Sequence, residues 1–121
     1  MTNYIGTDLI EIARIRQAID RWGERFLRRV YTEPEINLYG KKPPSLAARF
    51  ACKEAVMKLL EAGNKGISWQ DIEILAYPGG KPSVKLYGGA QSEAENLGIK
   101  EIAVSLAHSR EYAIAAAIGT S

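Results

Sequence analysis

The chain has 121 residues, which is enough for one domain with a hydrophobic core and too few for two. Apolar residues make up 46% and charged residues 25%, a balance that excludes an intrinsically disordered chain. Because 16 basic residues stand against 14 acidic ones, the net charge of +2 gives no general attraction to nucleic acid or to a membrane surface. Electrostatic recognition therefore has to come from local clusters of charge.

The cysteine and histidine content limits the kinds of site that the chain can build. With one cysteine, Cys52, and one histidine, His108, neither an intramolecular disulfide nor a Cys/His zinc site can form. No apolar stretch has the length of a membrane span, and the first residues lack the basic-then-apolar layout of a secretory signal. We therefore expect a cytoplasmic protein that does not bind membranes.

The first third of the chain changes from a strand period to a helix period. Tyr4–Ile10 predicts a strand, and the residues from Glu11 predict a helix that Gly23 either breaks or bends. Thr32-Glu33-Pro34-Glu35 resembles a capping box and predicts a short helix that ends near Gly40. The apolar stripe of the first helix consists of Ile12, Ile15, Ile19, Trp22 and Phe26.

A long helix is predicted in the middle of the chain. Pro43-Pro44 is expected to stop the preceding segment, and Ser45 is expected to cap a helix from Leu46 to about Ala62. Gly63 then marks the end of this helix.

The second half of the chain is dominated by strand patterns, which together with the helices predict an α+β fold. The alanine-rich run Ala113–Ala117 fits either a strand or a helix. We expect residues 1–121 to form a single domain. The predicted elements are a strand at Asp71–Tyr77, a turn at Pro78-Gly79-Gly80, a strand at Ser83–Tyr87, a helix at Ala90–Leu97, and a hairpin of Ile102–Ala107 with Tyr112–Ile118.

Several polar residues are candidates for chemistry. Asp8 is an acid within an apolar strand, so it is hydrogen-bonded, binds a cation, or simply caps the following helix. Glu54 and Lys58 lie four residues apart on the long helix, where they form either a solvent-facing ion pair or part of a site. Asp8 and Glu54 together would suit Mg²⁺, and the basic residues Arg49, Lys53 and Lys58 would suit a phosphate.

His108 follows the first strand of the terminal hairpin, beside Ser109. It fits a general base, a hydrogen-bond donor to phosphate, or an ordinary turn histidine.

Arginines are concentrated in the first helix. Residues 11–29 contain six arginines against Glu11, Asp20 and Glu24. The face formed by Arg14, Arg21, Arg25 and Arg28 is either a solvated surface or a docking ridge for an acidic partner.

Three segments in order resemble the motifs of the 4′-phosphopantetheinyl transferases. They are Ile5-Gly6-Thr7-Asp8 with Arg14 beyond it, Phe50-Ala51-Cys52-Lys53-Glu54-Ala55-Val56-Met57-Lys58, and Ser105-Leu106-Ala107-His108 followed by Tyr112-Ala113. The chain length and the segments Trp69–Ile74 and Gly80-Lys81-Pro82 resemble the short holo-acyl-carrier-protein synthase branch. The resemblance implies the α+β fold of that family, with a long helix packed on a mainly antiparallel sheet.

The resemblance also implies an activity. Family members transfer the phosphopantetheine arm of coenzyme A to a serine of an acyl carrier protein and release adenosine 3′,5′-bisphosphate, which serves fatty acid biosynthesis. Asp8 and Glu54 match the family's Mg²⁺ ligands, and with Lys58 they form the expected catalytic set. The serine proton would be taken by Glu54 or by a metal-bound water, and we favour the water because a carboxylate that holds a cation is a weakened base. The expected coenzyme A contacts are Arg49, Lys58, Lys81, Pro82 and His108.

The resemblance further implies the partners. The acidic acyl carrier protein would dock on Arg14, Arg21, Arg25 and Phe26, and the chain would form a homotrimer with the site near a subunit interface. Two alternatives come from other classes: a nucleic-acid-binding module that uses the arginine helix, and an inactive relative that keeps the docking ridge. The low net charge and the lack of interleaved aromatic residues weigh against the first. Asp8, Glu54 and Lys58 weigh against the second.

Overall fold

The structure, a computed structural model of the chain, describes residues 3–61, 66–76 and 79–121. Helices dominate the first half and antiparallel strands the second half, so the α+β prediction is confirmed. The strands are β1 (Asn3–Glu11), β2 (Ile72–Ala76), β3 (Pro82–Leu86), β4 (Glu101–His108) and β5 (Tyr112–Thr120). The helices are α1 (Ile12–Trp22), α2 (Glu24–Val30), α3 (Glu33–Tyr39), α4 (Pro43–Leu59) and α5 (Gly88–Asn96), with a 3₁₀ turn at Trp69–Asp71.

The strands of the described residues form two antiparallel sheets rather than the single sheet that was predicted. The main sheet has the order β1-β5-β4, and β2 pairs with β3 in a separate hairpin. The alanine-rich run lies in β5, where Ala113, Ala115 and Ala117 are buried while Ile114 and Ile118 face outward. This alternation with a period of two decides for a strand over a helix.

Helix α4 packs closely on the main sheet because the residues at the contact are small. Ala51 and Ala55 of the helix and Ala117 of β5 are completely buried, and Ala115 of β5 is 1% exposed. At Gly6 of β1, a Cβ atom would lie 1.9 Å from the carbonyl oxygen of Ala55. The first strand can therefore approach α4 this closely only with glycine at position 6.

The N-terminal helical region is broken, which settles the alternatives for Gly23. This residue ends α1 with a φ of +56°, in the left-handed region that favours glycine, and α2 begins at Glu24. Phe26 therefore belongs to a second helix, and Trp22 is 50% exposed, so the predicted apolar stripe does not run along one helix. For the same reason, the prediction that Arg14, Arg21, Arg25 and Arg28 share one helical face is wrong.

Helix α3 begins as predicted, with a reciprocal capping box. The Thr32 hydroxyl accepts from the Glu35 amide at 3.4 Å, and the Glu35 carboxylate accepts from the Thr32 amide at 2.8 Å. Gly40 follows the last residue of the helix, also as predicted.

The predicted start of the long helix was wrong. Pro43 and Pro44 form the first turn of α4 rather than a stop, and Lys42 rather than Ser45 is the N-cap residue. Proline suits this position because the first-turn amides have no partner within the helix and its φ is already helical. The helix ends at Leu59, and Glu61 adopts a φ of +54°. The predicted end at Ala62 and Gly63 lies outside the described residues.

Boundaries in the second half differ by one or two residues from the predictions. Asp71 belongs to the 3₁₀ turn, Tyr87 caps α5, and the hairpin of β4 and β5 runs to Thr120. Tyr77 and Pro78 lie outside the described residues.

A fully buried ion pair joins α3, α4 and β2. The Lys53 ammonium lies 2.7 Å from the Glu35 carboxylate, both side chains have no exposure, and the ammonium also donates to the carbonyls of Trp69 and Ile72. Burial lowers the pKa of Lys53, and Glu35 opposes this effect. Lys53 therefore fixes the β2–β3 hairpin to α4 and is not placed to contact a phosphate.

Candidate functional site

Asp8 and Lys58 meet where β1 crosses the C-terminal half of α4. The Lys58 ammonium lies 3.0 Å from Oδ1 of Asp8 and donates to the Thr7 carbonyl at 2.9 Å. The Asp8 side chain is 19% exposed and that of Lys58 is 57% exposed. Asp8 therefore forms an ion pair within its own fold rather than a helix cap.

Glu54 lies one turn before Lys58 on α4 and is half-buried. Burial raises the pKa of its carboxyl group, the negative charge of Asp8 raises it further, and Lys58 opposes both effects. Because the charge of Asp8 affects the pKa of Glu54, the two carboxyl groups are close enough to interact electrostatically. The structure thus brings Asp8 together with Glu54 and Lys58, which lie 46 and 50 positions later in the sequence.

The two carboxyl groups fit a Mg²⁺ ion that is shared with a ligand. No group of three or more His, Cys, Asp or Glu side chains within residues 3–61, 66–76 and 79–121 is arranged to hold a metal. Mg²⁺ does not need such a set, because it is commonly held by one or two carboxylates and completes its shell with water and phosphate oxygens. Asp8 and Glu54 supply this kind of donor.

A second group of predicted residues lines a cleft of about 210 Å³ between α4, the β2–β3 hairpin and β4. Arg49, Pro82 and His108 all contribute to it, whereas Lys81 is exposed beside it. The guanidinium of Arg49 lies 3.6 Å from the ring centroid of Tyr39, and its buried Nε has no hydrogen-bond partner among the residues that the structure describes. The cleft therefore holds a positioned cation with unused hydrogen-bonding capacity.

These two groups lie on opposite sides of α4. Arg49 and Lys58 are nine residues apart, which at about 100° per residue places them half a turn from each other. Asp8 belongs to β1 and His108 to β4, which are the two outer strands of the main sheet. A single copy of the chain therefore does not bring all the predicted site residues into one pocket.

The predicted docking residues are divided between two surfaces. Arg25 and Phe26 line an open groove of about 770 Å³ with Trp22, Arg28 and Arg29. Arg21 stacks on Trp22 at 5.1 Å, while Arg14 lies 3.7 Å from Glu11 at a recess beside β1. The groove combines aromatic and cationic side chains, which suits an acidic partner with an apolar centre.

The outer face of the main sheet is apolar and exposed. In the antiparallel register Ile5 lies opposite Ile118, and Leu9 lies opposite Ile114. Their exposed fractions are 68%, 48%, 60% and 49%, respectively. Contiguous apolar surface of this kind is typical of a protein–protein interface.

The family of the chain follows from a comparison with known proteins. The sequence matches the 4′-phosphopantetheinyl transferase superfamily over residues 4–117, which includes all three motifs. The chain belongs to this superfamily.

Individual relatives of this transferase agree. Holo-[acyl-carrier-protein] synthase of Dehalococcoides mccartyi is 57% identical over 112 residues, which cover 93% of each chain. The synthase of Herpetosiphon aurantiacus is 49% identical over 121 residues, covering 94% of this chain and 95% of the relative. The crystal structure of Helicobacter pylori holo-[acyl-carrier-protein] synthase in complex with coenzyme A has a TM-score of 0.86 at 33% identity, covering 96% of this chain and 99% of that one. The expectation of an enzyme of this type is confirmed.

Sequence reasoning missed some residues of the transferase that support the site. Tyr39 lies under the Arg49 guanidinium, and the Thr7 carbonyl holds Lys58. No pattern in the sequence marks either contact, because the partners come from different elements. Trp22 and Arg29 of the groove were detectable as the aromatic and basic neighbours of Arg25 and Phe26.

No helix within the described residues is both long and apolar enough to cross a membrane.

Proposed function

We propose that this protein transfers the 4′-phosphopantetheine arm of coenzyme A to a serine of an apo-acyl carrier protein, with Mg²⁺, in the cytoplasm and in the service of fatty acid biosynthesis. Residues 1–121 act as one domain. The observation that carries this proposal is the convergence of Asp8, Glu54 and Lys58, which belong to two separate motifs of the superfamily. Relatives named holo-[acyl-carrier-protein] synthase, and one such structure with coenzyme A, support the choice of substrates.

Asp8 and Glu54 are the proposed ligands of Mg²⁺, which when bound neutralises phosphate charge and activates the pyrophosphate for attack. Lys58 adds a positive charge beside that pyrophosphate and stabilises the departing bisphosphate. On the other side of α4, Arg49 and His108 offer hydrogen bonds to coenzyme A. Lys81 and Pro82 complete the proposed coenzyme A contacts from the start of β3.

The acyl carrier protein would dock on the α1–α2 surface through Arg14, Arg21, Arg25 and Phe26. Arginine suits this role because its planar group makes paired hydrogen bonds with carboxylates. In the groove, Arg28 is already paired with Glu24 at 3.1 Å and with Glu33 at 3.0 Å. Arg25 has no ion pair within the described residues, which leaves it available to an acidic partner.

A homotrimer would unite the two halves of the site. The group around Asp8 lies at the β1 side of the sheet, and the cleft around His108 lies at the β4 side. If the β1 side of one copy contacts the β4 side of the next, the arrangement is head-to-tail. Such an arrangement closes into a ring when the rotation between neighbouring copies is a whole fraction of a turn. The apolar sheet face of Ile5, Leu9, Ile114 and Ile118 would become buried in such a ring.

The proposed function is tested by the intact mass of an apo-acyl carrier protein after incubation with this protein, coenzyme A and Mg²⁺. We expect a gain of about 340 Da, the mass of the phosphopantetheine arm, and no gain in EDTA. Asp8→Ala and Glu54→Ala are expected to abolish transfer while both variants keep the circular dichroism spectrum of the folded protein. Absence of transfer to several carrier proteins by a folded sample would contradict the proposal, and full activity of either variant would remove the metal assignment.

A further inference from the structure

We infer that Lys58 is a resident counter-ion of Asp8 that competes with the divalent cation and has to leave the carboxylate when the cation binds. This inference rests on the proposed function, because it takes Asp8 as a ligand of the cation. It adds a second role for Lys58, which acts on the metal site before coenzyme A arrives.

The geometry that carries the inference is a two-point attachment of the lysine. Its ammonium lies 3.0 Å from Oδ1 of Asp8 and 2.9 Å from the carbonyl oxygen of Thr7. The two acceptors belong to adjacent residues of β1. The ammonium is therefore held against both the strand backbone and the Asp8 carboxylate. The lysine thus takes up one of the few oxygen atoms that a divalent cation would use.

Charge explains why the two cations compete. Asp8 and Glu54 are two acidic groups that share the neighbouring cation Lys58, which forms an ion pair with Asp8. A divalent cation on the same carboxylates would lie within a few ångströms of the ammonium, where like charges repel. Because Asp8 is largely enclosed and Lys58 is mostly exposed on a flexible stem, the lysine is the group that can move.

The movement delivers a charge to the substrate. Once displaced from Asp8, the ammonium remains on α4, beside the two carboxylates and free to pair with an anionic group. A pyrophosphate that binds with the cation supplies such an anion. Lys58 therefore weakens binding of the cation alone and favours its binding together with the phosphate ligand.

The test is a titration of the protein with Mn²⁺ in the absence of coenzyme A, in which free Mn²⁺ is measured by electron paramagnetic resonance. Lys58→Gln removes the charge and is expected to tighten Mn²⁺ binding about threefold to tenfold, a range that allows for solvent screening of an exposed charge. Lys58→Arg keeps the charge and is expected to retain the affinity of the unmodified protein. Lys41→Gln, at an exposed lysine before the other end of α4, is the matched control and is expected to change nothing.

The outcomes separate this inference from the proposed function. If Asp8→Asn binds Mn²⁺ as well as the unmodified protein does, the metal assignment fails, and the inference fails with it. If Asp8→Asn weakens binding but Lys58→Gln does not tighten it, only the inference is overturned. Equal tightening in Lys58→Gln and Lys58→Arg would also overturn it, because charge would not be the cause.

Discussion

The position of Glu54 in the fold disfavours the ionised form of its carboxyl group. Its carboxyl group is half-buried and lies near the like charge of Asp8, and both effects raise its pKa above the ordinary value of 4.5. Lys58 relieves only part of this cost. The position is therefore suited to receiving a cation and less suited to the stability of the free protein.

Replacing Glu54 with Gln is expected to stabilise the protein at pH 7 in EDTA while abolishing transfer. Because the pKa is raised in the folded state, the folded protein binds the proton more tightly than the unfolded chain does. The ionised carboxylate therefore lowers the free energy of unfolding above its folded pKa, and this penalty disappears below 4.5. Thermal unfolding should show a higher Tm for Glu54→Gln at pH 7 and a smaller difference at pH 4.

The control for this prediction is Glu95→Gln, at an exposed position of α5, which should change Tm little at either pH. An advantage of Glu54→Gln that is the same at both pH values would show that charge is not its origin.

Burial also explains why Cys52 has no part in the chemistry. This residue lies next to Lys53 on α4 and is completely buried. Burial raises the pKa of its thiol to about 12, so the reactive thiolate is not formed near neutral pH.

At the scale of elements, the site depends on how closely β1 approaches α4. Gly6 lies two residues before Asp8, and both face the helix. Any side chain at position 6 would collide with the backbone of Ala55, which lies next to Glu54. The glycine therefore sets the distance between the two proposed metal ligands.

Gly6→Ala is expected to lower the free energy of unfolding by about 1–3 kcal/mol, because the strand or the helix has to shift. The same shift should separate Asp8 from Glu54 and reduce transfer. Urea denaturation and the mass assay measure the two effects. Gly89→Ala is the matched control, since its added Cβ would find its nearest neighbours at an ordinary 3.6 Å. Equal stability of Gly6→Ala and the unmodified protein would contradict the prediction.

The sequence predicted the individual helices and strands better than it predicted the contacts between them. Local chemistry was sufficient for the capping box at Thr32, for the β4–β5 hairpin and for the existence of α4. It misled at Pro43-Pro44, because two prolines stop a helix and begin one equally well. The buried Lys53–Glu35 pair joins residues from separate helices, so no spacing rule reveals it.

The candidate site shows the same limit. The motifs indicated which residues matter, and the contact of Asp8 with Lys58 agrees with them. The nine-residue spacing of Arg49 and Lys58 on the predicted helix already places them on opposite sides of it, but the motifs did not indicate what lies on each side. The packing of α4 on the main sheet shows that Lys58 meets β1 and that Arg49 lines the cleft beside β4.

At the scale of the whole molecule, the exposed apolar face of the main sheet is the feature that predicts assembly. Ile114→Lys is expected to convert the proposed trimer into monomers, because a charged group cannot be buried there without a large cost in solvation. Analytical ultracentrifugation measures the change. Leu38→Lys, at a 51% exposed leucine of α3 away from this face, should leave the trimer intact. A monomeric unmodified protein, or a trimeric Ile114→Lys variant, would contradict the prediction.

A site shared between copies predicts complementation between inactive variants. Asp8→Ala lacks the β1 half of the site and His108→Ala lacks the β4 half, so each homotrimer is expected to have little activity. Mixed trimers, formed by joint refolding or coexpression, should regain transfer at positions where two intact halves meet. The control is a mixture of Asp8→Ala with Glu54→Ala, which both damage the same half and should regain nothing. Absence of recovery in both mixtures would place the whole site within one copy and would contradict the prediction.

In the proposed trimer, the position of Asp8 and His108 on the two outer strands has a consequence for genetics. A subunit defective at both edges would spoil two sites, its own and that of a neighbour, so the surviving activity would follow the square of the intact fraction. When intact and defective subunits are equally abundant, about one quarter of the sites would remain rather than one half. An allele that encodes such a subunit would therefore be dominant-negative, whereas an allele whose product fails to fold would only halve the dose.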